Sequence, residues 1–485
     1  MTEVNDYVIA RAAEGRLRGV RDGAALRFLG IPYAQSPLTA GRFTAPVPHQ
    51  AWDGVRDALA YGATSPQPDR GVTLIPEPIV PGGNELNLNV FTPDLGAAGL
   101  PVLVWIHGGG YFGGCNASPW YRGGPFARDG VVLVSINYRL GASGFLELDG
   151  APANRGVLDW IRALEWVREN IAAFGGDPGR VTIAGQSAGG GACASLLGAP
   201  SARGLFRGAI CMSGGTAVMS SAERVGEVKA AMTALLGVAP TAAAFEALPA
   251  DAIVAAQEAV MGQAAAESKD AAAVERALSG TPLPWGPWVD GTVITSPPLS
   301  VAAAGPGVPL LAGATANEFS MGWTASDWVT TDMVRDGLTA VGVPAPQVTA
   351  YLALPGRPCD IVGQALTDWM FRAPAQHLAE ASAAPAWAYD FRWSSRSGAF
   401  PGLSFHCLDV PFAFDNLGEP GVAGAAGGEP PQALADAMHR AWVRFVTDGD
   451  PGWARYTTAT RSTMLFGDAC LAESDPLSME RQAWP

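Results

Sequence analysis

Residues 180–196, RVTIAGQSAGGGACASL, enclose one serine between glycines, Ser187 flanked by Gly185 and Gly189. A serine hydroxyl becomes a useful nucleophile only where a base reaches it. The neighbouring residues suit its presentation to such a base. Val181 to Ala184 form a β-prone run, the two glycines leave a sharp turn uncrowded, and the small residues from Ala188 to Leu197 can begin a helix at once. A strand, tight turn and helix in succession lift a hydroxyl clear of a sheet and aim the next backbone N–H at a reacting carbonyl. A serine that merely closes a turn needs none of this context.

The base must come from five histidines. His107 precedes three glycines, His49 and His377 stand in polar or helical surface-like settings, and His439 sits beside Arg440 in a late helix, which leaves His406 in GLSFHCLDVPFAFDNL. The alternatives for His406 are a core histidine and, with Cys407 and Asp409, a zinc site whose spacing fits no common ligand pattern. An acid must then fix the imidazole tautomer and stabilise the imidazolium. Glu318 ends LLAGATANE, after a strand and a glycine; spacing alone leaves open whether it is that acid or one more solvated carboxylate among 45 acidic residues. The order Ser187, Glu318, His406 is the nucleophile, acid, histidine order of α/β-hydrolases. Charge developing on a carbonyl oxygen also needs aimed backbone donors. In HGGGYFGG, from His107, the N–H groups of Gly109 and Gly110 are accessible, and with that of Ala188 they would make a three-donor oxyanion hole. A flexible glycine turn is the alternative there.

These residues need a frame. The runs VLVWIHGGG (102–110), VVLVSINYR (131–139), VTIAGQS (181–187) and PLLAGATANE (309–318) are short and apolar, as suits the interior of a mostly parallel sheet covered on both faces. Between them Val157 to Phe174 carries a helical stripe of Leu158, Ile161, Leu164, Trp166 and Ile171. The fold class is therefore α/β. About 220–280 the chain turns Ala-rich with scattered Glu and Lys, which predicts inserted helices able to cap a site. Gly421 to Pro431 reads as a flexible loop and Leu434 to Val446 as one helix. No linker interrupts residues 1–485, so one catalytic domain with insertions is expected.

Composition narrows the function. Hydrophobic residues make up 48% of the chain and charged residues 16%, which fits a large core. The net charge of −14 repels phosphate backbones and anionic lipid, so neither a nucleic acid nor a membrane is an expected partner. Leu95 to Tyr121 lacks charge, but Pro101 and seven glycines break it, which marks buried soluble structure rather than a span. The acidic start MTEVNDYVIA lacks the order of a secretory signal. Six cysteines form no CxxC pair. A cytoplasmic, monomeric protein without metal or organic cofactor is expected.

The sequence resembles the type B carboxylesterases, which include bacterial esterases, animal carboxylesterases and cholinesterases. FGGDPGRVTIAGQSAGG (174–190) fits the family's serine signature, and FLGIPYAQSP, LNVFTPD, VWIHGGGYFGG, INYRLGASGFL, GATANEF and FHCLDVPFAF extend the likeness over nearly the whole chain. The resemblance implies an α/β-hydrolase fold, a triad of Ser187, Glu318 and His406, and an oxyanion hole of Gly109, Gly110 and Ala188, with Ser213 as a hydrogen-bonding neighbour. It also brings departures. Ser65 and Glu85 stand where many members carry a disulfide, Gln186 where many have Glu, and Phe319 where Gly is frequent.

The chemistry expected is ester hydrolysis through an acyl-serine. Tyr111, Phe112, Met321, Trp323 and Trp328 would suit an aromatic-lined pocket for uncharged short to medium acyl esters, although core packing explains the methionine and each tryptophan equally well. A lipase, an amide, carbamate or thioester hydrolase, and a non-catalytic cholinesterase-like interaction protein are the other readings.

Overall fold

The apolar runs of the sequence become the middle of one sheet. A computed structural model describes residues 6–484 apart from 72, 215–218, 266–268, 280–282, 305–306 and 399. Its strands are β1 (Tyr7–Ala12), β2 (Gly15–Asp22), β3 (Ala25–Pro32), β4 (Val55–Asp57), β5 (Asn87–Thr92), β6 (Leu100–Ile106), β7 (Val132–Ile136), β8 (Gly176–Gln186), β9 (Gly208–Met212), β10 (Leu310–Thr315), β11 (Ala386–Phe391), β12 (Ser462–Phe466) and β13 (Cys470–Ser474). They lie in the order β1-β2-β3-β5-β7-β6-β8-β9-β10-β11-β12-β13, with β4 beside β2. From β7 to β12 every neighbouring pair is parallel, and antiparallel strands close both ends.

Both faces of this parallel run are covered. Along β6, Val102, Val104 and Ile106 point into one core with Trp160, Trp166 and Ile183. Leu103 and Trp105 point the other way, into a core with Trp387, Trp442 and Phe445. That alternation is the two-residue period of a strand. The first core receives the helix Arg155–Asn170, continued by a 3₁₀ turn to Phe174, as the stripe predicts. The helix Gln432–Asp448 covers the opposite face.

Between 220 and 280 the described residues include the helices Ala222–Leu236, Ala242–Glu246, Ala250–Ala265 and Ala271–Ser279. Residues 266–268 and 280 lie outside the described set. Val422–Ala426 is a short helix with Val422 and Ala426 buried, so the flexible loop expected at 421–431 is partly ordered by apolar packing. Among the described residues no helix is long and apolar enough to cross a membrane.

Candidate active site

Five adjacent parallel strands, β6, β8, β9, β10 and β11, each lead from their C-terminal ends toward one place, where open α/β sheets commonly bind ligands. The glycine loop follows β6, Ser187 follows β8, Ser213 follows β9, Glu318 follows β10 and His406 follows β11. Backbone bonds carry the sheet's register past the strand ends. Ser187 N–H donates to Met212 O (2.9 Å), Ser213 N–H to Gly313 O (2.8 Å), and His406 N–H to Glu318 O (3.0 Å).

Ser187 occupies φ 59°, ψ −124°, a backbone state that costs about 1–3 kcal/mol for a residue with a side chain. The surroundings impose it. A Cβ on Gly189 would lie 2.0 Å from Ile106 O, and one on Gly185 would lie 2.4 Å from Gly189 C and O. Only glycines at both places let the helix Ala188–Leu197 start directly behind β6 and β8. Ala188 is the first residue of that helix, so its N–H is one of the donors a helix leaves unused, at the positive end of the dipole. Gly109 (φ 111°) and Gly110 (φ 62°) turn the opposing loop, which Phe112 N–H and Gly113 N–H fasten to Gly109 O.

Glu318 is fully buried. Its Oε1 accepts from Thr315 N–H (2.7 Å), and its Oε2 bonds Nδ1 of His406. Phe319 and Phe371 pack against the imidazole with ring centres 4.6 and 5.2 Å away. Burial opposes a proton on His406, but its neighbours, the Glu318 carboxylate among them, outweigh burial and raise its pKa well above the ordinary 6.5. Asp409, also fully buried, accepts from Tyr389 Oη at 2.9 Å. Burial first, then Glu318, pushes its pKa up to about 7.

Ser187, Gly109, Gly110 and His406 line one cavity of about 440 Å³. No hydrogen bond joins Ser187 Oγ to His406 among the described residues; instead Gln186 Nε2 lies 3.3 Å from His406 Nε2, and Gln186 Oε1 accepts from Cys407 Sγ at 3.3 Å. Contacts between a nucleophile and its base are often long without substrate and tighten when it binds.

The aromatic pocket expected beside Ser187 is differently walled. Phe112 lines the cavity. Tyr111 does not: it is fully buried against Phe145 and Trp160, because its φ of 64° turns it into the core. Met321 packs on the second core, and Trp323 packs against Trp328 in a third cluster; neither is a cavity wall. Ser213 is buried with its Oγ unbonded among the described residues, so the hydrogen-bonding role expected of its side chain has no partner there. Among the described residues none from 220 to 279 lines the cavity; Leu283, just beyond, does.

Other walls went unforeseen. Leu74, Ile75, Met370 and Phe371 add apolar surface, and Arg70 and Glu77 add charge. Phe371 and Met370 sit in a π-helical turn, Asp368–Arg372, which no apolar period announces; such turns recur at functional sites. Gln186 and Phe319 had a signal, since both depart from the family's usual residues.

The profile described as the carboxylesterase family matches residues 6–336. The chain is 34% identical to para-nitrobenzyl esterase of Bacillus subtilis (strain 168), over 98% of each chain. It is 32% identical to phenmedipham hydrolase of Pseudarthrobacter oxydans, over 95% of each. A solved PNB esterase structure superposes with a TM-score of 0.86 at 32% identity, over 98% of this chain and 99% of that one. The Geobacillus stearothermophilus carboxylesterase EST55 gives 0.85 at 32% identity, over 98% and 100%.

Proposed function

The chain belongs to the carboxylesterase family and is a carboxylic-ester hydrolase, and from that premise we propose that Ser187, His406 and Glu318 are its catalytic triad. The single observation that carries this reading is the strained Ser187 turn sharing a cavity with an imidazole whose other nitrogen is bonded to a buried carboxylate.

Ser187 Oγ attacks the ester carbonyl carbon while His406 Nε2 takes the hydroxyl proton. The carbonyl π electrons move to oxygen, where the N–H groups of Gly109, Gly110 and Ala188 receive the charge. Collapse of this tetrahedral species breaks the bond to the alkoxy oxygen, His406 returns the proton, and the alcohol leaves. Water then repeats the cycle on acyl-Ser187 and restores the serine. Glu318 keeps the ring proton on Nδ1 and stabilises the imidazolium between the two steps. Every group needed lies on this chain, so the reaction runs without a metal or organic cofactor.

The cavity walls support uncharged esters with short to medium or aromatic groups, since Phe112, Phe319, Phe371, Leu74 and Ile75 offer mainly apolar contact. Para-nitrobenzyl esterase among the relatives is consistent with an aromatic ester. The net charge of −14 also disfavours anionic substrates. We read the protein as one catalytic domain, acting as a cytoplasmic monomer. Rapid mixing with 4-nitrophenyl acetate tests the acyl-enzyme: a burst of nitrophenol equal to the enzyme concentration is expected, and Ser187→Ala retaining full turnover would remove the assignment.

A further inference from the structure

Two charged side chains of opposite sign line the otherwise largely apolar cavity. Arg70 and Glu77 face each other there, with Arg70 Nη2 bonded to Glu77 Oε2; the side chains retain 25% and 14% of their exposure. The loop that carries them is docked onto the glycine loop. Gln67 Nε2 donates to Gly114 O (3.0 Å) while Gly114 N–H donates to Gln67 Oε1 (2.9 Å). The guanidinium carbon of Arg70 lies 5.2 Å from the centre of the Phe112 ring. It also fills the space beside Gly113, where a Cβ would come within 2.6 Å of it. Arg70 is thus packed against Phe112 and Gly113, the residues two and three positions past Gly110.

A guanidinium so placed is a ready receptor for a carboxylate, because its planar fork matches that group. Among the described residues Glu77 is its one hydrogen-bond acceptor. Glu77 sits only seven positions away in the same loop, so it competes as a tethered ligand, at an effective concentration on the order of millimolar. A dissolved substrate carboxylate below that level is outcompeted.

We propose that Glu77 is a resident carboxylate ligand of Arg70, and that the Arg70–Glu77 pair sets the enzyme's preference for uncharged esters over esters carrying a carboxylate. The proposal rests on the triad reading, because it places the pair beside Ser187. Removing the charge of Glu77 uncovers a cation in the cavity; removing that of Arg70 uncovers an anion.

The test compares kcat/KM ratios within each variant, so that general losses cancel. Two pairs of probes place the charge on either side of the ester: 4-acetoxybenzoate against methyl 4-acetoxybenzoate, and 4-nitrophenyl hydrogen adipate against 4-nitrophenyl hexanoate. Glu77→Gln should raise the charged-to-neutral ratio tenfold or more in at least one pair. Arg70→Gln should lower that ratio and raise turnover of (4-acetoxyphenyl)trimethylammonium relative to methyl 4-acetoxybenzoate. The double variant should return toward the wild-type ratios. Unchanged ratios in both single variants overturn the proposal, and if Glu77→Gln does not fold, the Arg70→Gln ratios decide alone. Hydrolysis that persists in Ser187→Ala would instead overturn the triad reading, so the two failures are distinct.

Discussion

The amide nitrogen of Gln186 lies 3.3 Å from Nε2 of His406, the atom that takes the Ser187 proton in the proposed mechanism. The thiol of Cys407 donates to the other end of that amide, which keeps the nitrogen toward the ring. So oriented, the amide donates to an unprotonated Nε2 and favours the neutral imidazole with its proton on Nδ1. Gln186→Glu puts a negative charge in the same place, and a charge that close favours the imidazolium by roughly one pH unit or more. The acid limb of kcat/KM should therefore move upward in that variant. A limb that stays in place would show that the amide does not act on the ring.

Glu318→Gln tests the buried acid. The neutral amide can present its NH₂ to Nδ1 and so select the wrong tautomer, a change expected to lower kcat by about 10³–10⁴. In the wild type the pKa of His406 stands above 6.5, since burial, which opposes the proton, is outweighed by neighbours that include the Glu318 carboxylate. The acid limb should accordingly lie above 6.5 in the wild type and fall in Glu318→Gln. A pH–rate series on both proteins measures the two effects together.

Asp409 predicts a pH dependence of stability. Its folded pKa of about 7 exceeds the ordinary 3.8, so between these values the folded chain holds a proton that the unfolded chain has lost. Unfolding then releases that proton, and stability declines as pH rises through this window. His406, with its raised pKa, acts in the same direction: its contribution is full below about 6.5 and is lost as pH rises through the higher folded value. Asp409→Asn should flatten the fall in Tm between pH 4 and 7, and an equal slope in variant and wild type would contradict the assignment.

The turn around Ser187 predicts opposite responses at two helical glycines. Gly189→Ala drives a methyl to within 2.0 Å of Ile106 O, and should cost about 1–3 kcal/mol or more together with most of the activity. Gly226, inside Ala222–Leu236, has nothing within 4 Å of its missing Cβ. Gly226→Ala should be neutral or stabilising by roughly 0.5–1 kcal/mol. Thermal unfolding of the two variants beside the wild type measures both.

Much of this arrangement is legible in the sequence. The strands flanking Ser187 are apolar on both faces, and the glycines around it have no role in a strand or helix except to let backbones meet. The chain order of serine, acid and histidine then pointed to one sheet edge. What stayed hidden depends on tertiary neighbours. Tyr111 and Phe112 are adjacent aromatics, yet the positive φ of Tyr111 sends one into the core while the other faces the cavity. Trp323 and Met321 follow Glu318 closely, but the 3₁₀ turn Glu318–Trp323 directs them to separate cores. Arg70 and Glu77 sit in a stretch without periodicity, where nothing in residue type distinguishes a cavity wall from a surface loop.

Reaction with a fluorophosphonate puts the role of Ser187 to its most direct trial. Intact mass and peptide mapping should find one phosphonyl group per chain, on Ser187, accumulating in step with the loss of esterase activity and absent from Ser187→Ala. Stoichiometric inactivation with the label on another residue, or full activity after Ser187 is labelled, would contradict it.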